Sequence, residues 1–168
     1  MSVFVTVGST GFDDLISAIN TRRFMQSLRS RGLRSLVVQY GTSEQFFGLP
    51  NASSAEIGIS VTAFDYASGT QKFVDRADLV ISHAGAGSIL DALHSHRPLI
   101  VVVNRRLMDD HQNEIALELS RAGYLVVSSP EDLADTVANG SFMGLQPYPH
   151  ADPRPIGEII EAETLLQK

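Results

Sequence analysis

The sequence contains no cysteine, which excludes a disulfide scaffold, a thiolate zinc site and a cysteine nucleophile, and suits a reducing compartment. Positive charge is scarce. Only two lysines occur, Lys72 and Lys168, and 13 basic against 19 acidic residues leave a net charge of −6. A chain of that sign does not hold nucleic acid by its overall field, so no nucleic-acid partner is expected. Long apolar runs are missing too. The longest aliphatic stretch, Leu99 to Val103, is five residues, against the roughly 20 that a membrane-spanning helix needs. The start, Met1-Ser2-Val3-Phe4-Val5, shows neither the basic flank nor the long apolar stretch of a secretory signal. These absences together predict a cytosolic location.

What is present suits one globular domain: 168 residues, 43% hydrophobic and 19% charged, enough to bury a real core. Val3 to Val7 reads as a buried strand emptying into the turn Gly8-Ser9-Thr10-Gly11. Asp13 and Asp14 suit the first turn of a helix. Leu15, Ile16 and Ile19, then Phe24, Met25 and Leu28, recur at helical spacing with a break near Asn20-Thr21 and a stop at Gly32. Leu36 to Gln39 is a second strand ending at Gly41. Thr42 to Glu56 is an irregular connection, and Ile57, Ile59 and Val61 alternate like a third strand.

The remainder repeats one theme of aliphatic strand, polar turn and helix. Leu79-Val80-Ile81 precedes a helix with Ile89, Leu90 and Leu93. Leu99 to Val103 precedes one with Ile115, Ala116, Leu119 and Ala122. Leu125-Val126-Val127 precedes one with Leu133 and Val137, for which Ser129 is the expected N-cap and Pro130 the first helical residue. Strands apolar throughout and alternating with helices predict an α/β fold: a Rossmann-like parallel sheet with helices on both faces. Residues 1–140 form its body. Residues 141–168 add a proline-rich strap with Pro147, Pro149, Pro153 and Pro155, then a terminal amphipathic helix carrying Ile156, Ile159, Ile160 and Leu166 on one face.

In a doubly wound sheet ligands lie beyond the carboxyl ends of the strands, and three segments meet that condition. Gly8-Ser9-Thr10-Gly11 admits close approach of a phosphate to backbone N–H groups, or is an ordinary tight turn. Ser82-His83-Ala84-Gly85-Ala86-Gly87-Ser88 again links strand to helix, and two such turns at one sheet edge would place two helix N-termini around a diphosphate. Asp91, one turn beyond Gly87, is a candidate acceptor for ribose hydroxyls or a solvated helix acid. Asn104 to Glu114 is dense in polar groups, and His111 and Gln112 there suit sugar hydroxyls. The same stretch also reads as a helix start capped by Asp109.

Other chemistries find no support. Leu90 stands where the third glycine of a dinucleotide fingerprint belongs, which disfavours an oxidoreductase. No glycine precedes a lysine as in a P-loop, and no G-x-S-x-G elbow presents Ser88 as a nucleophile. His94 and His96 are too poorly spaced to share a metal, and no D-x-D holds a divalent ion, so neither a metal nor another cofactor is expected. Arg22, Arg23, Arg29, Arg31 and Arg34 crowd one region, as a solvated face or as a contact for anionic headgroups.

The runs Phe4-Val5-Thr6-Val7-Gly8-Ser9-Thr10, Ala77 through Ser88, Pro98 through Asn104 and Leu107-Met108-Asp109-Asp110-His111-Gln112 resemble the family 28 glycosyltransferases. The similarity is to the catalytic subunits of their two-subunit UDP-N-acetylglucosamine transferases of dolichol-linked oligosaccharide synthesis. It extends over nearly the whole chain. The resemblance implies the donor-binding half of a GT-B enzyme, with Gly8, Ser9 and Thr10 at the diphosphate and His83, Gly85, Ala86, Gly87 and Ser88 near the nucleotide and its phosphates. Asp91 would take the ribose-binding glutamate's position, one methylene shorter, and His111 and Gln112 would hold the donor sugar. The implied reaction is an inverting transfer to the lipid-linked acceptor N-acetylglucosamine diphosphodolichol. A membrane-anchored partner subunit would supply the acceptor-binding half on the cytosolic face of the endoplasmic reticulum, with residues 156–166 the candidate docking helix. A non-catalytic nucleotide-sugar-binding regulatory subunit is the alternative.

Overall fold

The apolar runs become six parallel strands of one sheet, in the order β3-β2-β1-β4-β5-β6. In this computed structural model the described residues are 1–48, 56–103 and 110–149, the side chains of 110–113 excepted. The strands are β1 (Ser2–Thr6), β2 (Ser35–Gln39), β3 (Ser60–Phe64), β4 (Leu79–His83), β5 (Leu99–Val102) and β6 (Val126–Ser128). The helices are α1 (Asp13–Ile19), α2 (Arg22–Ser30), α3 (Gln71–Val74), α4 (Ala86–His94), α5 (Asp110–Arg121) and α6 (Leu133–Asn139). From β1 the chain steps outward to β2 and β3, then returns to the other side of β1. Val3 thus pairs with Leu36 on one flank and with Leu79 on the other.

Side chains of the central strands alternate between two cores, which is why β1, β4 and β5 are largely apolar, whereas the edge strand β3 carries exposed Ser60 and Thr62. Val3, Val5, Val38, Ile81 and Ile100 pack with α1, α2 and α6. Phe4, Val80, Leu99 and Val101 pack with Val74 of α3, Ile89 and Leu93 of α4 and Ala116 of α5. Phe73 stacks on both Phe4 and Phe64, with ring centroids 5.4 and 4.8 Å apart. No helix among the described residues is long and apolar enough to cross a membrane.

Local chemistry sets the boundaries. The break before α2 arises because Thr21 caps it: the hydroxyl accepts the Phe24 N–H at 3.2 Å and donates to the Ala18 carbonyl. At its end, Gly32 takes φ +73° while Leu33 N–H bonds the Leu28 carbonyl and Gly32 N–H that of Arg29, a Schellman closure. Ser129 accepts the Asp132 N–H and donates to its carboxylate, capping a turn that precedes the first regular helical bond, Thr136 N–H to Asp132 carbonyl. The regular helix therefore starts three residues later than Pro130.

The structure refines the sequence reading in three places. The third strand starts at Ser60, because Ile57 sits in a helical turn and both Ile57 and Ile59 are buried ahead of the strand. Alternation alone cannot distinguish such a lead-in from a strand. Leu90 and Ile115, apolar positions of their helices, are 42% and 48% exposed. The arginine cluster is a solvated face, with Arg22, Arg23, Arg29 and Arg34 exposed, that also braces: Arg31 Nε donates to the Ala138 carbonyl at 2.8 Å, Arg29 to the Ile57 carbonyl, Arg23 pairs with Asp135 and Arg22 with Glu56. After a 3-10 turn over Ser141–Gly144 the chain runs irregularly over Leu145–Pro149, where Tyr148 meets Tyr124 edge-on at 5.2 Å. Residues 150–168, and so the expected terminal helix, lie outside the described residues.

Arg31 joins α2 to the carboxyl end of α6, where a cation also meets the negative pole of the helix. Arg31→Ala should lower urea-unfolding stability by about 1–2 kcal/mol. Arg34→Ala, at an exposed side chain without a partner among the described residues, should stay within about 0.5 kcal/mol. Equal losses would contradict this division of roles.

Candidate functional site

A reversal of strand order opens a crevice at the carboxyl edge, because the connections leaving the two central strands run to opposite faces. Here the reversal lies between β1 and β4: α1 packs on one core and α4 on the other. Both glycine turns anticipated from the sequence open on that crevice, and the His83 ring stands between them. A Cβ on Gly8 would lie 2.8 Å from His83 Cε1, and one on Gly85 would lie 2.3 Å from His83 Nε2. Neither position has room for a side chain, and Gly8 also holds φ +71°. Gly87 is different. A Cβ there would meet nothing within 4 Å, so no internal contact requires a glycine.

His83 is half-buried, and its Nδ1 is buried without a hydrogen-bond partner among the described residues. Burial pushes the imidazole below its ordinary value of 6.5, and a weaker pull from the Thr6 backbone opposes the shift. The ring is therefore neutral at pH 7, with one N–H to donate and no charge. A buried nitrogen without a well-formed hydrogen bond is uncommon in a folded protein.

The two turns present their amides differently from the expected pair of helix poles. α1 has only seven residues and no side-chain cap at Phe12, so the first turn works through loop amides. Gly8 N–H is directed inward to Thr6 Oγ1 at 3.2 Å. The N–H groups of Ser9 and Thr10, both exposed, have no partner among the described residues. α4 is longer, and its first internal bond runs from Ile89 N–H to the Gly85 carbonyl at 3.1 Å. The N–H groups of Ala86, Gly87 and Ser88, at its positive end, thereby have no partner among the described residues. Asp91 lies one turn along α4, half-buried, its carboxylate without a partner among the described residues. Gly8, Ser9, Thr10, His83, Gly85, Ala86, Gly87 and Ser88 thus meet at one edge. His111 and Gln112 fall in the first turn of α5, but their side chains, with Asn104 to Asp109, lie outside the described residues.

Sequence reasoning missed the support beneath the first turn. Thr6 and Gln39, each 3% exposed, join Oγ1 to Oε1 at 2.6 Å. Thr42 Oγ1 donates to the Thr10 carbonyl at 2.5 Å, and Ser43 Oγ to the Asp13 carboxylate at 2.7 Å. The available signal was small: a polar residue closing the apolar run of each of two strands.

Residues 2–155 match the profile of the glycosyltransferase family 28 C-terminal domain. Among curated proteins, the UDP-N-acetylglucosamine transferase subunit ALG13 of Homo sapiens is 41% identical over 123 residues, which are 73% of this chain and 10% of the human one. The subunit of the same name from Candida albicans is 34% identical, covering 82% of this chain and 59% of its own. That from Cryptococcus neoformans is 36% identical and covers 81% of each. This chain therefore spans a tenth of the human relative and somewhat over half of the Candida one. Among solved structures, the NMR structure of ALG13 superposes with a TM-score of 0.65 at 28% identity over 94% of both chains. Acinetobacter baumannii MurG shares the fold, with a TM-score of 0.59 at 18% identity over 82% of this chain and 39% of that one.

Because the folded imidazole binds its proton more weakly than the unfolded one, acidification through pH 6.5 favours unfolding. An NMR titration should place the His83 midpoint below 6.5 in the folded chain. A midpoint at or above that value would contradict a buried, neutral ring.

Proposed function

Since the chain belongs to the glycosyltransferase family 28 C-terminal domain, we propose that it is the donor-binding half of an inverting transferase that uses UDP-N-acetylglucosamine. The observation that carries this reading is the pair of amide-bearing turns brought to one crevice on either side of His83. The relatives, each a UDP-N-acetylglucosamine transferase subunit by name, support the choice of donor. The acceptor is the 4-hydroxyl of N-acetylglucosamine diphosphodolichol, and the product is the chitobiosyl lipid used in N-glycosylation. A membrane-anchored partner subunit supplies the acceptor-binding half and the general base, and holds the complex on the cytosolic face of the endoplasmic reticulum.

In the transfer, the acceptor oxygen forms a bond to the anomeric carbon from one face as the bond to the β-phosphate oxygen breaks on the other. The acceptor proton passes to the partner's base, and UDP leaves with the bonding pair. Negative charge grows on the β-phosphate. Amides of Ser9 and Thr10 on one side, and of Ala86, Gly87 and Ser88 on the other, are already fixed around it and need no reorganisation. His83 holds the two turns apart and offers its single N–H to the same anion. Asp91 takes the ribose hydroxyls, and His111 and Gln112 the sugar. His83 is a poor candidate for the base, because its lowered proton affinity and its place between the phosphate turns suit holding the donor.

The test is a transfer assay with UDP-N-acetylglucosamine and the lipid acceptor, with and without the membrane-anchored partner. Activity should require both subunits; full activity of the isolated chain would contradict the division of the site. Gly87→Val meets no internal clash, so the variant should fold normally yet lose at least about 100-fold in transfer rate. Unchanged transfer would sink the proposed site. Tight donor binding by a chain whose Gly87→Val variant leaves transfer intact would favour the regulatory-subunit reading.

A further inference from the structure

The first turn is gripped from the β2 side by groups that reach no ligand themselves. In register, Thr6 of β1 lies beside Gln39 of β2. The Thr6 hydroxyl donates to Gln39 Oε1 at 2.6 Å and accepts the Gly8 N–H at 3.2 Å. One buried oxygen thus spends its proton on β2 and its lone pair on the turn. Further out, a Cβ on Gly41 would lie 2.9 Å from the Gly8 carbonyl oxygen and 3.0 Å from the Gly11 nitrogen, so the exit of β2 runs directly against the turn. Thr42 and Ser43 then hold the Thr10 carbonyl and the Asp13 carboxylate.

We infer that Thr6, Gln39 and Thr42 are positioning residues, a brace that turns the Gly8 amide and Thr10 carbonyl inward so that the Ser9 and Thr10 amides face the donor's diphosphate. The inference rests on the donor-binding reading above and extends it to residues of the strands beneath. A core that needed only to be filled would accept valine at position 6, which matches threonine in shape but cannot bond the Gly8 N–H. With that bond gone, the Gly8 amide must find another partner. The turn then loses the geometry that a rigid anion requires, while the nucleoside end of the crevice, built on α4, is untouched.

The readout is the affinity of the full chain for UDP compared with uridine, which lacks the diphosphate. Wild type should prefer UDP. Thr6→Val should weaken UDP binding by about tenfold, the scale of one hydrogen bond to a charged group, and leave uridine binding unchanged. Thr6→Ser, which keeps the hydroxyl, should restore the preference. Thr42→Ala, at an exposed position where folding is not at stake, should weaken UDP selectively by about threefold. An unchanged UDP-to-uridine ratio in Thr42→Ala and in folded Thr6→Val would overturn the brace while leaving the donor site standing. A wild type with no preference for UDP would overturn the donor reading itself, and the brace with it.

Discussion

The strand-order reversal between β1 and β4 is the constraint on which the rest of this structure depends. A parallel sheet forces every connection to cross a face, and the reversal is the place where two neighbouring connections part company. The turns that leave β1 and β4 consequently lie side by side with no helix between them. Into that gap the chain inserts one imidazole, and glycine on both sides lets the ring fit. The apolar strands matter to function for this reason. Val3, Phe4, Val5, Leu79, Val80 and Ile81 are 0–1% exposed, and their burial against two separate cores fixes the strand ends from which both turns depart.

A second consequence concerns charge. The chain carries a net charge of −6, so its overall field repels a nucleoside diphosphate. On the donor-binding reading proposed above, attraction has to be local, through backbone N–H groups and the positive end of α4, whose dipoles act over a few ångströms and are indifferent to net charge. A neutral His83 fits this economy of means. A protonated ring there would be a charge held out of water, which burial disfavours.

Much of this was legible in the sequence because it lay in composition and spacing. Short apolar runs separated by helical periods pointed to the layout, and glycines at two strand exits to the crevice. The break at Thr21 and the stop at Gly32 were readable because capping chemistry is local. What escaped was set by tertiary contacts. Ile57 and Ile59 alternate with polar neighbours yet precede their strand, and Leu90 keeps helical spacing yet faces outward, because periodicity does not say which stripe is covered. The Thr6–Gln39 pair joins residues 33 positions apart, and nothing local to either residue announces the other. The arginine cluster was ambiguous for the same reason: its partners, Ile57, Asp135 and Ala138, come from distant parts of the chain.

The central claim is that two turns hold one anion. Amide-resolved NMR of the full chain, titrated with UDP, tests it most directly. The account predicts that the amides of Ser9 and Thr10 and those of Ala86, Gly87 and Ser88 shift together, along a single saturation curve. Shifts confined to one turn, or two curves with different midpoints, would contradict it.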